Sequence, residues 1–212
     1  MFVMLSPLTF IHTVPETTAD KQPAIFLLHG MGSNEEDLPQ LVQDFKGSHH
    51  IFSLRGPILL NPGYTFFTIE EEGKPIRAEF DEVLTTIQSF IQEAIVEFGL
   101  DEDQIFVLGF SQGAILAQSL ALTMGGVISG IVALSGYVPD FVKMDYEKQP
   151  VDHLDIFISH GAYDYIIPPH WGEESKEYFE LLGAKVTFKT YNDGHGVTPD
   201  NHQDLVAFLR GR

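Results

Sequence analysis

Apolar residues fall along this chain in two alternating patterns. The first is a short continuous run, as in Ala24-Ile-Phe-Leu-Leu28, Gln104-Ile-Phe-Val-Leu108, Ile128 to Leu134 and Leu154-Asp-Ile-Phe-Ile158, with Ile51-Phe52-Ser53-Leu54 as a shorter case. Runs of this kind suit strands covered on both faces, as in a parallel sheet. Lys185-Val-Thr-Phe-Lys189 alternates instead and predicts a strand nearer an edge, and Thr9 to Val14 predicts an edge strand. The second pattern returns every three to four residues. Phe80, Val83, Leu84, Ile87, Ile91, Ala94, Ile95 and Phe98 form one stripe, which predicts a helix over 79–98 stopped by Gly99. Further helices are predicted over 38–45, 112–124, 171–182 and 203–209, and the stretch from Pro15 to Pro23 reads as a turn-rich connection. Strands that alternate with helices imply a mostly parallel sheet with helices on both faces, in one α/β domain spanning 1–212.

Chemistry concentrates where strands end. Gln104 to Leu108 runs directly into Gly109-Phe-Ser111-Gln-Gly113, and a helix follows. A serine on so sharp a strand-to-helix turn takes a strained backbone, lifts its hydroxyl above the sheet edge and sits at the positive end of the helix dipole. The glycines give the crowded strand and helix room. The bare pentapeptide pattern also arises by chance in glycine-rich chains, but here its two flanks are the ones the chemistry needs.

Leu28-His29-Gly30-Met31-Gly32 follows the strand over 24–28. A Gly-rich loop there can supply one oxyanion N–H while the residue after the nucleophile supplies the other, which assigns the donors to Met31 and Gln112. The alternative is a plain turn before a capped helix. His29, at a strand end, reads as a packed loop-former. After Leu154 to Ile158 comes a loop carrying Asp164, placed to accept a histidine Nδ1–H; its other reading is a turn residue. His195 lies between Gly194 and Gly196 after the last strand, where no packing demand explains an imidazole, while His202 falls at a helix start. The order Ser111, Asp164, His195 is that of α/β-hydrolases. For the substrate pocket, Phe66, Phe67, Ile166, Ile167 and Trp171 are candidates, with core packing as the alternative for each.

With these residues in place, the chain resembles the phospholipase/carboxylesterase family, small lidless hydrolases that include acyl-protein thioesterases and bacterial carboxylesterases. The likeness runs over nearly the whole length. It rests on Leu28-His-Gly-Met-Gly32, on Arg55-Gly-Pro57 with Asn61-Pro-Gly-Tyr-Thr-Phe-Phe67, on Gly109-Phe-Ser-Gln-Gly113, on His160-Gly-Ala-Tyr-Asp164 with Ile167-Pro168, and on Gly194-His195. It implies an α/β-hydrolase fold without a cap domain. It also implies ester or thioester hydrolysis by Ser111, Asp164 and His195, with Met31 and Gln112 as oxyanion donors. Phe66 stands where relatives commonly have tryptophan, and the segment from Pro57 to Gly73 is spaced differently from the thioesterases.

Composition then narrows the field. Without cysteine there is no disulfide, thiolate nucleophile or Cys-based zinc site. Nine histidines could serve a metal, yet no ligand spacing such as H-E-x-x-H occurs. His49-His50 are adjacent, and His170 with Glu173 reads as a solvated pair. No metal and no cofactor is expected. Net charge is −18 with 12 Lys and Arg scattered along the chain, which opposes binding to a phosphate backbone, so no nucleic-acid partner is expected. The opening MFVMLSPLTF lacks the features of a signal peptide, and no apolar run is long enough for a membrane span. A cytoplasmic location without stable membrane association follows as the default, with a small-molecule ester as partner and a homodimer left open.

Three functions compete. A carboxylesterase for short-acyl esters comes first, because the segment between Leu134 and the next strand is too short and charged for a lid. An acyl-protein thioesterase or lysophospholipase would use the same residues. A catalytically inactive hydrolase fold acting as a binding protein is the reading from another class.

Overall fold

The computed structural model describes residues 7–17, 19–71 and 73–211. Met1 to Ser6, part of the opening read above as no signal peptide, lie outside the described residues, as do Thr18, Glu72 and Arg212. The chain begins with strands β1 (Phe10–Thr13), β2 (Gln22–Leu28) and β3 (His50–Leu54), with a 3₁₀ helix (Leu38–Phe45) between the last two. Two small hairpins follow, β4 (Ile58–Leu59) with β5 (Tyr64–Thr65), and β6 (Ile69–Glu71) with β7 (Lys74–Pro75). Then come α1 (Arg77–Phe98), β8 (Leu100–Phe110), α2 (Gln112–Thr123), β9 (Gly130–Leu134), α3 (Asp140–Asp145), β10 (Asp155–Gly161), α4 (Pro169–Leu181), β11 (Lys185–Tyr191) and α5 (Pro199–Arg210).

Seven strands form the main sheet in the order β1-β3-β2-β8-β9-β10-β11. Every pairing is parallel except β1 with β3. The alternating strand predicted near an edge is indeed the edge strand β11. This is the α/β-hydrolase fold, and the connection from β9 to β10 holds the six-residue α3 with no cap domain.

The continuous apolar runs are explained by burial on both sides. Ala24, Phe26 and Leu28 of β2 pack with residues of α1, α2 and α4, while Ile25 and Leu27 pack with the 3₁₀ helix and α5. β8 divides the same way, Ile105 and Val107 against Phe106 and Leu108. Gly99 ends α1 in the left-handed conformation with φ 61°, its N–H donating to the Ile95 carbonyl. The helix starts and ends shift by a few residues from the predicted spans, and the segment over 38–45 is 3₁₀ and kinked at Val42, where φ −120° leaves the helical region. The two hairpins over 58–75 went unpredicted; their strands are two or three residues long and leave no period to read.

Candidate active site

The C-terminal ends of β2, β8, β10 and β11 point the same way, and each leads into one of the loops singled out by sequence. Ser111 follows β8 with φ 54° and ψ −116°, a backbone that costs a non-glycine residue about 1–3 kcal/mol. Its N–H donates to the Leu134 carbonyl of the neighbouring strand, which fixes the turn at 2.8 Å. Around it the chain is too crowded for side chains: a Cβ on Gly109 would overlap the backbone of Gly113, and one on Gly113 would overlap the Leu28 carbonyl.

Ser111, His195 and Asp164 are hydrogen-bonded in series. The Ser111 Oγ lies 2.8 Å from His195 Nε2, and His195 Nδ1 lies 2.7 Å from Asp164 Oδ2. Since a carboxylate only accepts, Nδ1 carries the hydrogen and Nε2 is left to accept from the serine. Asp164 is buried, and its other oxygen, Oδ1, accepts the N–H groups of Ile166 at 2.9 Å and Ile167 at 3.0 Å. Burial alone would push this carboxyl up. The bonds from His195, Ile167 and Ile166 outweigh it and hold Asp164 below the usual carboxylate range.

The acid and histidine loops are also joined through backbone: Tyr163 N–H donates to the Asp193 carbonyl and Ala162 N–H to the Tyr191 carbonyl. Gly161 permits this approach, because a Cβ there would overlap the Gly194 carbonyl. Phe110 packs its ring 5.0 Å from the His195 imidazole.

The loop after β2 is built equally firmly. His29 is buried and spends both ring nitrogens on backbone, Nε2 accepting from Gly56 N–H at 3.0 Å and Nδ1 donating to the Gly30 carbonyl at 2.7 Å. Burial pushes its pKa down, so it is neutral. Gly32 N–H donates to the Tyr64 carbonyl and Tyr64 N–H to the Ser33 carbonyl, which ties the loop to β5. Arg55 lies 4.4 Å over the Tyr64 ring and is paired in bidentate fashion with Glu35. The N–H groups of Met31 and Gln112 have no acceptor among the described residues.

Sequence reasoning missed the side chain of Gln112. Its Oε1 accepts from Phe66 N–H at 2.7 Å and lies 2.8 Å from the Thr65 hydroxyl, while its Nε2 donates to the Phe67 carbonyl at 2.7 Å. It thereby clamps the segment after β5 onto the start of α2. A polar residue directly after Ser111, at the start of a mostly apolar helix, was the available signal.

The proposed pocket residues separate into three groups. Phe66 and Phe67 have no exposed surface and belong to the core, with Phe67 packed edge-on to Phe80 at 4.9 Å, so the core-packing alternative describes them. Ile167 is buried by the turn that Asp164 caps, and Trp171 is half-buried against Tyr137. Ile166 is exposed.

Of the other histidines, His202 lies 3.0 Å from the Leu41 carbonyl, joining α5 to the 3₁₀ helix, and His50 pairs with His12. Among the described residues no group of three or more His, Asp or Glu side chains could hold a metal ion.

A sequence model of the phospholipase/carboxylesterase family matches residues 11–211. The chain belongs to this family. It is a serine hydrolase of the carboxylesterase and thioesterase kind, and an ester is its class of substrate. Acyl-protein thioesterase 1 of Candida albicans is 28% identical over 219 residues, covering 93% of this chain and 95% of that protein. The putative hydrolase MhqD of Bacillus subtilis is 30% identical over 189 residues, covering 88% and 91%. Among solved structures, the Bacillus cereus carboxylesterase superposes with a TM-score of 0.86 at 26% identity, over 98% of this chain and 95% of that one.

Proposed function

We propose that this protein is a serine carboxylesterase that hydrolyses short-acyl carboxylic esters through an acyl-enzyme. The observation that carries the reading is the unbroken series from Ser111 Oγ through the His195 imidazole to Asp164, with the serine on a strained elbow at the start of α2. His195 Nε2 takes the serine proton as Oγ attacks the acyl carbonyl. The resulting oxyanion is received by the N–H groups of Met31 and Gln112, both unspent, and favoured by the α2 dipole. The ester C–O bond then breaks as His195 returns its proton to the leaving alcohol. Water, deprotonated by the same nitrogen, attacks the acyl-serine, and the acid departs with Ser111 restored.

A preference for short acyl groups follows from the missing lid. The connection over 135–154 contributes α3 and extended segments, so acyl carbons beyond the first few gain little burial. Each fully buried CH₂ would contribute about 0.8 kcal/mol, or roughly fourfold in kcat/KM. Exposed Ile166 and half-buried Trp171 are the contacts this reading uses. No helix among the described residues is long and apolar enough to cross a membrane.

The test is kcat/KM on p-nitrophenyl esters from acetate to palmitate. The expected profile peaks at or before butyrate and does not rise on longer chains, where full burial of each added carbon would have raised it about fourfold. The similarity to acyl-protein thioesterase 1 supports a second reading. Faster turnover of palmitoyl thioesters than of butyryl esters would replace the first with it.

A further inference from the structure

The catalytic series leaves one buried imidazole unexplained. His160 is the penultimate residue of β10, has no exposed surface and lies beneath the acid loop. Its Nε2 is 2.8 Å from the Ile167 carbonyl oxygen and 3.3 Å from Asp164 Oδ2. A carbonyl can only accept, so Nε2 carries the hydrogen. Nδ1 is then a bare acceptor, fully buried and without a partner among the described residues, and faces α4 at Gly172, where a Cβ would come within 2.6 Å of it. The imidazole therefore uses one nitrogen and leaves the other unsatisfied, an arrangement that an apolar side chain of similar size would avoid.

What that one nitrogen does is specific. Ile167 gives its N–H to Asp164 Oδ1 and receives the His160 hydrogen on its carbonyl, so His160 closes the turn from its far side. The same hydrogen lies beside Oδ2, the oxygen that His195 uses. The titratable groups that act on His160 are Asp164 and His195, and burial keeps it neutral. It sets an N–H dipole beside the carboxylate without adding a charge.

We propose that His160 is a positioning residue for the acid: its Nε2–H anchors the Ile167 carbonyl and presents a second donor to Asp164 Oδ2, fixing the carboxylate against His195. This rests on the reading of Ser111, His195 and Asp164 as the catalytic triad. Because the donor acts through Asp164, its loss lowers kcat and leaves KM in place. An Oδ2 that has lost a donor also holds the His195 proton more strongly, so the acid limb of the pH–rate profile moves to higher pH.

The experiment compares His160→Gln, His160→Asn and His160→Phe in the full-length protein, with kcat, KM and the pH–rate profile measured on p-nitrophenyl butyrate. Gln reaches the Nε2 position, Asn only the Nδ1 position, and Phe offers no donor. The Asn and Phe variants are expected to lose about 10- to 100-fold in kcat at constant KM with the acid limb raised, and Gln to recover most of the loss. Should the Phe variant fail to fold, the Gln and Asn pair decides. Equal kcat and equal acid limbs in Gln and Asn, or a folded Phe variant with the native limb, would overturn the proposal. Labelling with a fluorophosphonate in parallel separates the two levels: adduct on Ser111 with indifferent His160 variants removes this proposal alone, whereas adduct on another residue removes the triad and this proposal with it.

Discussion

Gly113 brings the first turn of α2 so close to Leu28 that any side-chain carbon on the glycine would overlap the Leu28 carbonyl oxygen. The contact couples the strand that leads into the Gly30–Gly32 loop to the helix that follows Ser111. Its other partner is backbone, which cannot swing aside. Gly113→Ala is therefore expected to lower stability by about 3 kcal/mol or more, toward the upper end of overpacking effects. Urea denaturation measures it, and a midpoint near that of the native protein would mean that the two backbones separate freely.

Gln112 carries two duties that substitution can divide. Its backbone N–H is an oxyanion donor in the mechanism proposed above, while its side chain clamps Phe66 and Phe67. In Gln112→Leu the donor is retained, Phe67 keeps the Thr65 hydroxyl on its carbonyl, and Phe66 N–H is left buried without a partner. One orphaned donor predicts a loss of about 1–3 kcal/mol, again read by urea denaturation. A change within a few tenths would mean that Phe66 N–H finds another acceptor.

Most of the sheet was legible because a parallel strand buried on both faces must be apolar throughout, and Ala24 to Leu28 or Gln104 to Leu108 can be little else. The site was legible for a related reason. Ser111, Asp164 and His195 stand in glycine-flanked or turn-forming loops just after strands, where packing explains nothing about them. Phe66 and Phe67 misled because an aromatic near a site reads the same whether it faces the substrate or the core. The deciding fact was their backbone bonding to Gln112, which is 46 residues from Phe66 in sequence. His160 was visible as part of a motif, but its partner atoms, the Ile167 carbonyl and the empty face of Gly172, are properties of folded backbone.

Asp164 tests the electrostatic half of the site. Asp164→Asn keeps the shape but offers His195 a neutral partner whose amide can force the wrong tautomer, so kcat is expected to fall by about 10⁴-fold while KM changes little. Steady-state kinetics on p-nitrophenyl butyrate checks it. Loss through KM alone would assign Asp164 to substrate binding.

Away from the site, His12 stacks 4.2 Å from the Phe52 ring and lies 2.8 Å from His50, and burial with the nearby His50 pushes its pKa down to about 4. Between about pH 6.5, the value of a free histidine, and pH 4 the unfolded chain binds a proton at this position that the folded one does not. Stability is therefore full above that window and falls as the pH drops through it. His12→Phe removes the titrating group, and the drop in urea midpoint from pH 7 to pH 4.5 is expected to shrink. An unchanged drop would place the acid sensitivity elsewhere.

The central claim is that Ser111 is the nucleophile, activated by His195 across 2.8 Å. Peptide mapping by mass spectrometry after treatment with a fluorophosphonate tests it most directly, on the native protein and on Ser111→Ala. The account predicts one adduct in the native chain, on Ser111, and neither adduct nor ester turnover in the alanine variant. An adduct on any other residue, or near-native turnover by Ser111→Ala, would contradict it.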